Sequence, residues 1–124
     1  MKNRRRNLRK LFFFAAAFSL VVASASAHAV LLESTPSLKS GVAGPDVPIK
    51  LRFNVRIDAS RSRLTLAGPA GFRQALEISK ESPADALVTH ATGLLPGEYR
   101  LRWQVLASDG HITRGEIPFT VMRS

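Results

Sequence analysis

A strict two-residue alternation of apolar and polar side chains constrains this chain more than any other feature. Ile49, Leu51, Phe53 and Val55 alternate with Lys50, Arg52 and Asn54, and Tyr99, Leu101, Trp103 and Val105 alternate with Arg100, Arg102 and Gln104. Leu64 and Leu66, Leu76 and Ile78, and Ile117, Phe119 and Val121 repeat the pattern. Successive side chains of a strand point to opposite faces, so this period describes strands with one buried and one wet face. No segment carries a helical apolar stripe. Glycine and proline punctuate the runs at Pro36, Gly44-Pro45, Gly68-Pro69, Pro96-Gly97 and Gly110. The expected fold is all-β, an antiparallel sandwich or small Greek-key barrel of about seven strands near 29–33, 47–55, 62–67, 73–79, 86–91, 98–107 and 114–122. Phe53, Tyr99, Trp103 and Phe119 fall on inward registers and are expected in the core.

The first 27 residues have a different character. MKNRRRNLRK carries six Lys or Arg and no acid, and the apolar run LFFFAAAFSLVVA leads into the small residues Ser24-Ala25-Ser26-Ala27. A basic start, a short apolar centre and an A-x-A site describe a secretory signal peptide over 1–27, cleaved after Ala27. The alternative is an uncleaved membrane anchor, but the strongly apolar part is short of the ~20 residues a helical span requires. Arg5-Arg6-Asn7-Leu8 loosely resembles a twin-arginine signal, and general secretion serves equally well. Export places the domain, residues 28–124, in the periplasm.

Cleavage also changes the charge argument. The whole chain holds 18 Lys and Arg against 9 Asp and Glu, a net of +9, but six of those bases lie in the leader. Residues 28–124 keep 12 bases and 9 acids, a net of +3, with no basic run, so nucleic acid is not an expected partner. Such a length makes one domain with one core, expected to be a monomer. The chain has no cysteine, so thiolate is absent as metal ligand or nucleophile, and no nucleophile elbow, phosphate loop or HExxH motif suggests a hydrolase.

Three histidines remain: His28, His90 and His111. Cleavage after Ala27 makes His28 the first residue, where its α-amine and its own imidazole can close a chelate ring on one ion. Copper(II) favours such nitrogen and oxygen donors in tetragonal geometry and heads the divalent affinity order. Asp109 and His111 stand two apart in Ser108-Asp109-Gly110-His111, a spacing that in extended backbone directs both side chains to one side. By itself Asp109-Gly110-His111 is also a common turn. His28, Asp109 and His111 are the candidate metal ligands, for one Cu(II) ion per chain. His90 has no acidic or histidine neighbour and reads as a structural or surface residue.

With these residues in view, the chain from His28 to Val121 resembles the CopC family of periplasmic copper-binding proteins. HAVLLESTP resembles the family's opening, VPIKLRFNVRID its second strand, and LLPGEYRLRWQVLASDGHITRGEIPFTV its most recognisable block. The resemblance implies an immunoglobulin-like Greek-key sandwich or barrel, and Cu(II) held by the amine and imidazole of the first histidine, an aspartate and a second histidine, roles that fall on His28, Asp109 and His111. It implies work in copper resistance, carriage or uptake, beside an inner-membrane partner of the CopD type, here expected as a separate chain. Two features depart from the pattern. Some members bind Cu(I) through a methionine-rich loop, whereas residues 28–124 contain only Met122. Some carry a glutamate in the second strand, where this chain has Val55.

The expected function is thus a non-catalytic Cu(II) carrier or buffer, whose binding fails as the imidazoles protonate. A copper-brace oxygenase shares the terminal histidine but needs an open copper position and an exposed, often aromatic substrate surface. A metal-free immunoglobulin-like interaction domain is the other alternative.

Overall fold

The computed structural model describes residues 28–123. The leader expected over 1–27, with its cleavage site at Ala27, lies outside the described residues.

Eight strands form two packed sheets. They are β1 (Leu31–Thr35), β2 (Gly41–Ala43), β3 (Val47–Phe53), β4 (Arg63–Ala67), β5 (Arg73–Leu76), β6 (Ala86–Ala91), β7 (Gly97–Leu106) and β8 (Ile112–Met122). One sheet has the order β1-β3-β6 and the other β2-β8-β7-β4-β5. The result is an all-β, immunoglobulin-like Greek-key sandwich. All seven expected antiparallel strands form. The additional one, β2, has three residues and pairs in parallel with the end of β8, Gly41 opposite Thr120 and Ala43 opposite Met122.

Each alternating run buries the register expected of it. Ile49, Leu51 and Phe53 face Leu101, Val105, Ile117 and Phe119 across the sandwich interior, all at most 2% exposed. Phe53 meets Trp103 edge to face with ring centroids 5.3 Å apart, and Tyr99 stacks on Phe119 at 5.7 Å. Such pairs contribute about 0.5–1.5 kcal/mol each beyond their buried area. The Trp103 ring lies across Gly115 of the neighbouring strand, where a Cβ would stand 2.4 Å from it. Near the start of β7 the Tyr99 hydroxyl donates to the Leu95 carbonyl at 2.7 Å. This tie closes the corner leading into the strand, as in other Greek-key sandwiches.

Strand ends depart from the alternation where another bond captures the backbone. β1 begins at Leu31 because Val30 is taken by the Asn54 side chain, whose Oδ1 accepts the Val30 N–H at 2.7 Å. Just beyond Phe53 the Asn54 N–H donates to the Val30 carbonyl at 3.1 Å and closes the pairing of β3 with β1. β5 ends at Leu76; Ile78 still packs against the core, but the chain then turns through Ser79–Ser82, where the Ser82 N–H donates to the Ser79 carbonyl at 3.1 Å. β7 and β8 form the longest pairing, from Gly97–Val121 to Leu106–Ile112. Their hairpin carries residues 107–111 to the end of the sandwich where β1 starts and β3 finishes.

Candidate metal centre

Two pieces of chain meet at that end. The first is His28-Ala29-Val30. His28 is exposed, Ala29 is 3% exposed and enters the core, and Val30 is clamped to Asn54 at both its N–H and its carbonyl. The chain is therefore fixed within two residues of His28.

The second piece is the β7–β8 turn. The Gly110 N–H donates to the Ala107 carbonyl at 2.9 Å, the Ala107 N–H to the His111 carbonyl at 2.9 Å, and the Ser108 N–H to the Arg56 carbonyl at 3.1 Å. Gly110 has φ +90°, in the left-handed region where a Cβ brings strain. The segment is the turn that Asp109-Gly110-His111 allows, not extended backbone. Asp109 and His111 still come together, by a different route. Asp109 Oδ1 accepts the His111 N–H at 3.1 Å, an Asx turn, and Oδ2 stands 3.0 Å from His111 Nδ1.

His28 and His111 complete the approach, with ring centroids 4.9 Å apart and planes inclined at 68°. Both the His111 and Asp109 side chains keep access to solvent, at 49% and 31% exposure. The hydrogen bond from the His111 side chain, followed by that from its backbone N–H, holds the Asp109 carboxyl below its usual range; the positive potential of His111 and His28 adds to this. An ionised carboxylate only accepts, so the Nδ1 of His111 carries the proton in the Asp109 bond. A neutral His111 then presents a bare Nε2, the usual way in which a carboxylate orients a metal-binding imidazole.

Among the described residues, no three His, Cys, Asp or Glu side chains are grouped to hold a metal ion. His28, Asp109 and His111 are instead linked as a ring pair and a hydrogen-bonded pair. The physical reason is visible in the hydrogen bonds: Asp109 directs both oxygens to His111. The residues present nonetheless fit a copper(II) ion. They offer imidazole nitrogen and carboxylate oxygen in reach of solvent, without sulfur, and each carboxylate oxygen retains a second lone pair.

His90 is not brought to this end. It lies exposed on β6 opposite Pro48, at the start of β3, whereas the site sits beyond Phe53 at its finish. Val55 is half-buried and packs against the core, so β3 sends no carboxylate to the site from that position. Asn54 is the residue that sequence reasoning missed. Its outward register suggested only solvent, and the sole prior signal was an asparagine, a common backbone binder, ending a strand pattern.

Comparisons with known proteins bear on the family and the fold. The CopC domain model matches residues 31–122. Copper resistance protein C of Escherichia coli is 33% identical over 110 residues, covering 82% of this chain and 86% of that one. The crystal structure of CopC from Methylosinus trichosporium OB3b superposes with a TM-score of 0.70 at 30% identity, over 76% of this chain and 93% of that one. PcoC, a methionine-rich copper resistance protein from Escherichia coli, gives a TM-score of 0.64 at 28% identity, over 77% of this chain and 100% of that one. With its sandwich, its paired sheet order and a family model spanning nearly all the described residues, the chain belongs to the CopC family, whose work concerns copper.

Proposed function

We propose that this protein is a periplasmic Cu(II)-binding protein, non-catalytic, acting in copper carriage, resistance or homeostasis. The observation that carries the reading is the meeting of His28 and His111, ring centroids 4.9 Å apart, with Asp109 bonded to His111. Cleavage after Ala27 frees the His28 amine, and that amine, its imidazole, the Nε2 of His111 and the Asp109 carboxylate then take one Cu(II) per chain, Asp109 giving up its bond to His111 Nδ1 to reach the ion. The protein works as a monomer and passes copper to or from a separate CopD-like inner-membrane protein.

Copper is cargo in this reading. The chain holds the ion, sets its geometry and leaves it accessible at the end of the sandwich. An oxygenase would need an exposed aromatic platform beside the metal, whereas Tyr99 and Trp103 are 3% and 8% exposed. Relatives named for copper resistance favour the copper reading over a metal-free interaction domain.

The test is to purify the exported protein, identify its first residue by mass spectrometry, and titrate Cu(II) by electron paramagnetic resonance. The expected outcome is a first residue of His28 and a single tetragonal, nitrogen-rich signal saturating at one equivalent. A mature form beginning elsewhere, or a chain that leaves Cu(II) free in solution, contradicts the proposal.

A further inference from the structure

The outer face of the β5-β4-β7-β8 sheet carries five arginines in a regular array. Strand register places Arg63 beside Gln104 and Gln104 beside Arg114, Thr65 beside Arg102 and Arg102 beside Glu116, and Arg73 beside Ala67 and Ala67 beside Arg100. Neighbouring strands lie ~4.8 Å apart and same-face residues ~6.6 Å apart along a strand, so the guanidinium groups spread over three adjacent rows. All five arginines are exposed.

The charge of the domain is segregated onto this face. Of the 12 bases and 9 acids in residues 28–124, five bases lie here with two acids, Glu116 within the rows and Glu98 at their border. Lys39, which lines a cavity with Glu98, Arg100 and Pro118, adds a sixth base at the border, so the net positive charge of the domain resides on this side of the sandwich. Arg100 and Arg102 share Glu116 at 3.6 and 2.9 Å, and the Arg114 Nε–H donates to Gln104 Oε1 at 2.8 Å. Arg63 and Arg73 have no carboxylate partner among the described residues.

We infer that this face docks a partner protein through a carboxylate-rich surface. Every cation within the three rows is arginine, whose planar fork matches carboxylates in a bidentate manner that lysine does not; of the lysines, Lys39 borders the array beside Arg100 and Pro118, and Lys50 and Lys80 lie outside its rows. Apart from Gln104 and Glu116, which hold neighbouring arginines, the positions between the arginines are small or flat, Thr65, Ala67, Ala75 and Pro118, and leave the guanidinium groups open to an approaching surface. No large apolar side chain stands within the three rows to enter a bilayer, which favours a protein surface over lipid. The hairpin that carries Arg100, Arg102 and Arg114 also carries the 107–111 turn, so a docked partner lies alongside the His28–His111 end. The inference stands independently of whether copper binds there.

The exported protein, labelled with nitrogen-15, is titrated by NMR with a synthetic decaglutamate peptide, and separately with vesicles of phosphatidylcholine and phosphatidylglycerol. The expected result is shift changes confined to the outer face of β4, β5, β7 and β8 with the peptide, weakening as salt rises. The triple variant Arg63→Gln, Arg73→Gln, Arg114→Gln is expected to bind about tenfold more weakly. A control of equal charge change off the face, Lys50→Gln, Lys80→Gln, Arg123→Gln, is expected to lose about twofold or less. Equal losses in both triples would reduce the effect to net charge and overturn the inference. So would peptide-induced shifts elsewhere, or shifts of this face with vesicles and none with peptide, which would make the partner a membrane.

Discussion

The rings of His28 and His111, from opposite ends of the domain sequence, stand 4.9 Å apart between centroids at the tip of the sandwich. Their meeting depends on two unrelated devices, the clamp of Val30 on Asn54 and the Asx turn of Asp109 on His111. Each can be removed without touching the core.

Replacing His111 by alanine leaves an exposed loop with its backbone bonds intact, so the fold should be retained by far-UV circular dichroism. Loss of a group that orients a ligand by hydrogen bonding costs about 10–100-fold in metal affinity, and loss of the ligand itself should reach at least the upper end of that range. Competition titration against a Cu(II) chelator measures it. Unchanged affinity would remove His111 from the site.

Asp109 offers a pH test. The hydrogen bond from the His111 side chain lowers its folded-state pKa below the ordinary aspartate value of about 3.9. A depressed carboxylate stabilises the turn at all pH values above the unfolded pKa, and that contribution is lost as pH falls through the lower folded value. The Asp109–His111 contact should therefore survive to below about pH 3.9. A carbon-13 titration of the Asp109 carboxyl reads the midpoint, and one at or above the ordinary value would contradict the pairing. Asp109→Asn should weaken Cu(II) binding about 10–100-fold while leaving the turn folded.

Asn54 is predicted to act as a positioning residue. Asn54→Ala removes the acceptor for the Val30 N–H, an exposed bond contributing on the order of 1 kcal/mol or less. Thermal stability should fall slightly, whereas Cu(II) affinity should drop several-fold because the terminal residues are no longer held over His111. Asn54→Asp keeps an acceptor and should restore most of the affinity. A loss of stability without loss of affinity would confine Asn54 to a structural role.

The core makes its own prediction. At Gly115 an added methyl would stand 2.4 to 2.8 Å from three atoms of the Trp103 indole, so Gly115→Ala must displace the ring. Overpacking of this kind costs about 1–3 kcal/mol. For a domain of this size, that lowers Tm by about 4–8 °C per kcal/mol. Cu(II) affinity should be unaffected, since the ring lies inside the sandwich.

Most of the architecture was legible because alternation reports burial directly: β3, β7 and β8 bury the same residues that their period selects. β2 was not legible, since Gly41–Ala43 is too short to show a period and owes its place to neighbours. The Lys39 N–H donates to Pro118 and the Thr120 N–H to Ser40, fixing the segment against β8. The candidate ligands were chosen by donor chemistry, because a domain without cysteine leaves few atoms suited to copper. What the sequence could not show was the conformation joining them. Asp109 reaches His111 through a turn with φ +90° at Gly110, and Asn54 reaches Val30 through a register that only the folded sheets define.

The most direct measurement compares Cu(II) affinity of the exported protein with that of a variant carrying one extra alanine ahead of His28. Blocking the amine–imidazole chelate while leaving both histidine rings and the fold in place should lower affinity by about 100-fold or more, as expected for loss of a ligand, with a changed paramagnetic signal. Equal affinity and an identical signal in the two proteins would contradict a site built on the freed terminus.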